Sequence, residues 1–247
     1  MIQIEFHSAE ESLVLLSTIY RSPSCQQFRA VHRFEYKRFD LKRWNSDSGI
    51  GAGCSMAIDR TIFRLSMSLP LTVLTTRLEL IAATAETVSL ELRNVDQFAT
   101  ALGVPVPSSW PPPLNDEGSQ RWYLEMLQHH ESAVGWALWY LIRREPTREL
   151  VGVAGFKGRP VDGSCEIGYS LLPSFQGSGY ATEASRELIR WAFSHRDVER
   201  VTSETLPDLL DSIRVMEKCG MRFIGDGNPE EGRRTVRYAV DRAEFRP

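Results

Sequence analysis

Cysteine is scarce in this 247-residue chain, and its four residues, Cys25, Cys54, Cys165 and Cys219, are scattered. No CxxC pair occurs, which argues against a zinc site or a disulfide framework and suits a reducing compartment. A dominant charge is also lacking: the formal net charge is −3 and the sequence pI about 6.0. A global basic field that would hold nucleic acid or an anionic membrane is therefore absent. Long apolar runs are missing too, since the stretch around Leu69–Leu74 is soon followed by Arg77 and Glu79. That is far too short to span a bilayer. The opening residues, Met1 to His7, show no basic segment leading into an apolar one, so no signal peptide is expected and a cytoplasmic location is the default.

What is present is the balance of an ordinary globular domain, with 42% hydrophobic and 25% charged residues. The chain reads as two unequal parts. Residues 1–70 lack a sustained strand or helix period and are expected to form an irregular N-terminal extension, disordered or artefactual, with the natural start at Met56 or Met67 as one alternative. Basic and aromatic residues interleave from Phe28 to Phe39, but Glu35, Asp40 and Asp47 break the charge, and no nucleic-acid partner is expected.

Residues 71–247 carry the regular pattern. Leu78, Leu80 and Ala82 suit a strand, Val88 to Leu102 a helix, and Asp116 to His130 a second helix. A proline-rich loop bearing Trp110 separates the helices. Gly135–Arg144, Glu149–Phe156 and Cys165–Leu172 follow as strands, then Tyr180–His195 as a helix with Ala181, Ala184, Leu188 and Ala192 on one stripe. Arg200–Glu204 suits a strand, Asp208–Cys219 a helix capped by Asp208, and two closing strands end the pattern. Helices grouped early, then mixed strands and helices, imply an α/β or α+β domain built on a mixed sheet.

The segment Glu166-Ile167-Gly168-Tyr169 leads into Gln176-Gly177-Ser178-Gly179-Tyr180-Ala181, which opens a helix. A strand, a glycine turn and a helix start aim unpaired N–H groups and the positive end of the helix dipole at one point, an anion site. A P-loop would end in Gly-Lys-Ser/Thr, and a dinucleotide fingerprint would need a third glycine; both are missing. By itself the loop reads equally well as a plain glycine turn.

Two motifs together narrow the choice. Gln176-x-x-Gly179-x-Ala181, followed by Ser212-x-x-Val215-x-x-Lys218-x-Gly220, resembles the GNAT N-acetyltransferase superfamily, in the branch of ribosomal-protein N-terminal acetyltransferases. The resemblance implies a mostly antiparallel mixed central sheet flanked by helices, with residues 71–247 as the acetyltransferase domain. It implies acetyl-CoA as co-substrate without a metal, and a primary amine of a small molecule or a protein N-terminus as acceptor. Partners beyond the acceptor are not implied: no nucleic acid and no membrane, with the oligomeric state open, a dimer included.

The same resemblance assigns the pyrophosphate to Gln176, Gly177, Ser178, Gly179, Tyr180 and Ala181, and the pantetheine arm to the strand edge at Leu171 and Leu172. Ser212 and Lys218 are further cofactor candidates, Glu166 and Ser212 catalytic candidates, and Trp110 a candidate for lining the acceptor pocket. An alkylammonium must lose a proton before it attacks a thioester, so Glu166 is the candidate base, directly or through water. Ser212 is the candidate donor to the departing thiolate. Two departures stand out: Leu209 replaces a usual asparagine, and Met216 a tyrosine that many members use to protonate that thiolate. These leave a non-catalytic acyl-CoA-binding or regulatory module as the alternative.

Overall fold

The computed structural model describes residues 70–227 and 234–246; the N-terminal extension and its aromatic–basic segment lie outside the described residues. The described residues belong to one compact unit, Met67–Pro247. The strands are β1 (Thr72–Leu74), β2 (Leu78–Ala82), β3 (Leu138–Arg143), β4 (Glu149–Phe156), β5 (Ser164–Leu171), β6 (Arg200–Thr205), β7 (Arg222–Asp226) and β8 (Val236–Asp241). The helices are α1 (Ala85–Arg93), α2 (Val95–Leu102), α3 (Glu117–His129), α4 (Tyr180–Phe193) and α5 (Leu210–Lys218).

The eight strands form one sheet in the order β1-β2-β3-β4-β5-β6-β8-β7. Every pairing is antiparallel except β5 with β6. The two-residue alternation of strand side chains feeds two separate cores. Leu78, Leu80, Trp139, Leu141, Ile167 and Leu171 pack against Ala184, Leu188 and Ala192 of α4 on one face. Ile81, Leu138, Tyr140 and Ile142 pack against Val88 of α1, Phe98 of α2 and Leu127 of α3 on the other. The result is a sheet between two helical layers, which explains why β3 is buried on both sides.

Beyond shifts of one or two residues at element ends, three features differ from the sequence reading. The helix expected over Val88–Leu102 is two helices, because Asn94 ends α1 and its side chain then accepts the Gln97 N–H to start α2. The strand expected from Gly135 begins at Leu138, after a 3-10 turn at Glu131–Ala133. Asp208 does not cap α5; Leu209 occupies that position and supplies no side-chain hydrogen bond. The short edge strand β1 was not foreseen.

Candidate active site

The parallel contact between β5 and β6 is brief. Ser164–Glu166 pair with Arg200–Thr202, after which the strands part: β5 continues beside β4 to Leu171, and β6 beside β8 to Thr205. At the root of this split the buried Ser203 hydroxyl donates to the Ile167 carbonyl at 2.9 Å. Leu172 N–H is donated to Val151 on the β4 side. By the alternation of an antiparallel ladder, Tyr169 and Leu171 therefore turn their backbone groups into the split. The candidate edge is thus Tyr169 and Leu171; the Leu172 amide is committed inside the sheet and its side chain is fully buried. The Leu171 carbonyl already accepts the Gln176 side-chain amide at 3.1 Å, which ties the strand end to the following loop.

That loop closes on α4. Gly177 and Gly179 have φ of +73° and +82°, a left-handed conformation that suits glycine. A side chain at Gly177 would meet nothing within 4 Å, so the loop faces open space. Gly179 is the N-cap of α4 and offers no side chain to cap it. The first helical bond runs from Glu183 N–H to the Gly179 carbonyl, which leaves the amides of Tyr180, Ala181 and Thr182 without an intrahelical acceptor. Free first-turn amides beside a glycine turn are a good fit for a pyrophosphate.

The loop is braced from the turn between β1 and β2. Glu183, one turn into α4, accepts from Thr75 Oγ1 (2.6 Å), Arg77 N–H (2.8 Å) and Arg77 Nε (2.6 Å). Burial pushes the Glu183 pKa up, but these bonds and the Arg77 charge outweigh it and hold the carboxyl below its usual range. Arg77 also donates to the Ser178 carbonyl at 3.0 Å and stacks over the Tyr180 ring at 4.6 Å.

Ser212, in the first turn of α5, approaches β5. Tyr169 Oη donates to the Ser212 carbonyl at 2.8 Å and lies 3.1 Å from its hydroxyl. Burial pushes the Tyr169 phenol up to about 12, so it stays protonated at neutral pH. Tyr169 was missed as a site residue, although it stands in the Glu-Ile-Gly-Tyr motif that defined the strand. Met216 is buried in the core. Lys218 is exposed in the last turn of α5, and Arg214 pairs with Asp211 at 2.8 Å.

Glu166, Gly168 and Ser170 share the opposite face of β5, toward α1 and α3. Glu166 is ion-paired with Lys157 at 2.7 Å, and its charge adds to burial in pushing the Tyr123 phenol of α3 up to about 12. A side chain at Gly168 would meet nothing within 4 Å, so the face between Glu166 and Ser170 is open. Ser170 donates its hydroxyl to the Pro113 carbonyl, which brings the proline-rich loop over this opening. His129 and His130 are exposed at the end of α3.

Trp110 is half-buried in the proline-rich loop. Its indole packs on Phe98 and Tyr140, with ring centroids 6.1 Å and 6.4 Å away, and its N–H is donated to Glu91 at 2.9 Å. The same carboxylate accepts from Asn115 (3.2 Å), Gln120 (2.9 Å) and the Tyr140 hydroxyl (2.7 Å). Glu91 therefore fastens the proline-rich loop to α1, α3 and β3, and Trp110 is one of its anchors. A glutamate on a helix gives no sequence signal for such a role. Cys165 and Cys219 are buried free thiols, pushed up to about 12 chiefly by burial, and so unsuited to nucleophilic attack. Among the described residues, no group of three or more His, Cys, Asp or Glu side chains could hold a metal ion, and no helix is long and apolar enough to cross a membrane.

Comparison with known proteins places this geometry. Residues 77–222 match the family model of the acetyltransferase (GNAT) domain. The chain is 34% identical over 100 residues to an uncharacterized N-acetyltransferase, YjdG, of Bacillus subtilis, covering 40% of this chain and 59% of that protein. It is 36% identical over 89 residues to the FsC-acetyl coenzyme A-N(2)-transacetylase of Aspergillus fumigatus, covering 32% and 37%. The chain thus spans less than two thirds of the length of these relatives. Among solved structures, RimL, the ribosomal L7/L12 alpha-N-protein acetyltransferase in complex with coenzyme A, superposes with a TM-score of 0.51 at 21% identity, covering 69% of this chain and 98% of that one. The ribosomal-protein-S5-alanine acetyltransferase of Vibrio fischeri does so at 0.51 and 15% identity, covering 72% and 100%. The family model matches residues 77–222, more than half of the chain, and the chain therefore belongs to the GNAT acetyltransferase family.

Proposed function

We propose that the chain is an acetyl-CoA-dependent N-acetyltransferase acting on a primary amine of a small molecule or a protein N-terminus. The observation that carries this reading is the pairing of two features: uncapped α4 amides at the Gly177–Gly179 turn, and the backbone edge of β5 exposed where β6 departs. The first suits a pyrophosphate and the second an extended amide-bearing arm, and coenzyme A contains both in that order.

In this reading acetyl-CoA supplies the acyl group already activated as a thioester. The amides of Gly177 to Ala181 hold its pyrophosphate, with Gln176 bracing the loop against Leu171 and Lys218 available at the α5 end. Tyr169 and Leu171 hold the pantetheine by strand addition, which orients the thioester without particular side chains. The opening over Gly168 admits the amine from the α1–α3 side. Glu166, ion-paired with Lys157, removes its proton directly or through water. Ser212, supported by the protonated Tyr169, donates to the departing thiolate.

The division of the chain into an extension over residues 1–70 and a catalytic domain over 71–247 belongs to the same proposal. A non-catalytic acyl-CoA-binding module is the second reading, favoured by the burial of Met216 where many members carry the acid tyrosine. Turnover separates the two. Incubation with acetyl-CoA and a broad panel of amines and peptides is expected to release free thiol with at least one acceptor; binding without release across the panel supports the module instead.

A further inference from the structure

The brace between the β1–β2 turn and the glycine loop raises a question that the family's motifs do not address. Glu183 places a carboxylate one turn inside the very helix whose N-terminus is offered to an anion, and its lowered pKa keeps it charged at neutral pH. Unopposed, that charge repels a pyrophosphate. The guanidinium of Arg77 sits against it at 2.6 Å, and the same guanidinium reaches past it to the Ser178 carbonyl at 3.0 Å. Its flat face covers Tyr180, the first residue of α4, at 4.6 Å. A side chain at Gly179 would come within 3.4 Å of Arg77 Nη2. One side chain therefore contacts or borders Ser178, Gly179, Tyr180 and Glu183.

We infer that Arg77 is a positioning residue for the anion loop: it fixes the loop through the Ser178 carbonyl and cancels the Glu183 charge, so that the first-turn amides of α4 stay ordered and attractive to a pyrophosphate. The inference rests on the proposed coenzyme A site. Only arginine does both jobs, because its fork gives Nε to the carboxylate and Nη1 to the carbonyl at once. A lysine ammonium restores the charge but not the simultaneous grip. Arg77 comes from the turn that precedes β2, about 100 residues before the loop it holds, as the separation of 101 residues to Ser178 shows.

The experiment compares the wild type with Arg77→Gln and Arg77→Lys in the full chain, using two readouts. Amide hydrogen exchange at residues 183–186, the first hydrogen-bonded amides of α4, in the ligand-free protein reports the brace directly, whether or not coenzyme A binds. Calorimetric titration with coenzyme A reports affinity. Both variants are expected to exchange faster across 183–186, by about tenfold, with helix α3 unchanged as an internal control. Both are expected to bind coenzyme A about tenfold more weakly, with Gln weaker than Lys. Should Arg77→Gln fail to fold, Arg77→Lys carries the test alone through the same two readouts. Weaker binding with unchanged exchange would make Arg77 a plain electrostatic ligand and overturn the inference, as would a lysine variant equal to wild type in both. Absence of coenzyme A binding in the wild type would refute the site itself, while the exchange result would still decide whether Arg77 braces the loop.

Discussion

Replacing Glu91 offers the sharpest energetic test of how the proline-rich loop is held. Its carboxylate accepts four neutral donors, from Trp110, Asn115, Gln120 and Tyr140. Burial raises the Glu91 pKa more than those hydrogen bonds lower it, so the folded value lies above 4.5. The folded state thus holds this proton more tightly than the unfolded chain. The stabilisation is fully present below the unfolded pKa and is lost as pH rises through the folded one, with a slope of at most about 1.4 kcal/mol per pH unit. Asp116, Glu183 and Asp241 are held below their usual range and act in the opposite sense, but they are common to wild type and variant and cancel in the difference.

Glu91→Gln keeps an acceptor oxygen and removes the titration. Urea unfolding from pH 4.5 to 7 is therefore expected to show the two proteins close at the acid end, with the variant gaining on the wild type as pH rises. Glu91→Ala orphans three deeply buried partners, Tyr140 (0% exposed), Asn115 (2%) and Gln120 (6%). At about 1–3 kcal/mol for each unsatisfied donor, partly relieved by side-chain rotation, the loss is about 3–5 kcal/mol. A difference profile between wild type and Gln that stays flat with pH, or an alanine variant within about 1 kcal/mol of wild type, would refute the clamp.

Other consequences follow from the same contacts. Gly179→Asp sets a negative charge beside the α4 amides and is expected to weaken coenzyme A binding by about 2–4 kcal/mol, roughly thirty- to a thousandfold; Gly179→Ala separates this from backbone strain in the same titration. Ser212→Ala and Tyr169→Phe are expected to lower kcat by about tenfold or more with little change in the KM for acetyl-CoA, measured by thiol release; a raised KM with kcat unchanged would assign them to binding instead. Arg242 donates to the carbonyls of Phe193, His195 and Val198 at the end of α4 and lies over the Phe193 ring at 5.4 Å. Arg242→Met is expected to cost about 1–3 kcal/mol in urea unfolding with acetyl-CoA affinity retained.

Much of the domain was legible in the sequence because its elements carry local signals. The α4 stripe of Ala184, Leu188 and Ala192 and the alternation of β2 have periods that only one structure satisfies. The glycine loop was legible because φ-positive turns before a helix demand glycine. Local signals also misled where a single residue decides the outcome, as at Asn94, whose side chain ends one helix and starts another within an unbroken apolar period. Contacts between distant segments were not legible. Nothing near Arg77 marks it as the partner of Ser178 and Glu183, and nothing near Trp110 reveals that its indole N–H is donated to Glu91. The shift of the free strand edge from Leu171 and Leu172 to Tyr169 and Leu171 depends on which neighbour β5 takes, a fact of topology alone.

The central claim, that the split between β5 and β6 and the uncapped start of α4 form one coenzyme A site, is tested most directly by a crystal structure with coenzyme A bound. The account predicts pyrophosphate oxygens on the amides of Gly177 to Ala181, pantetheine amides on the backbone of Tyr169 and Leu171, and the thiol near Ser212 and Glu166. Coenzyme A bound elsewhere, with these amides still facing solvent, would contradict it.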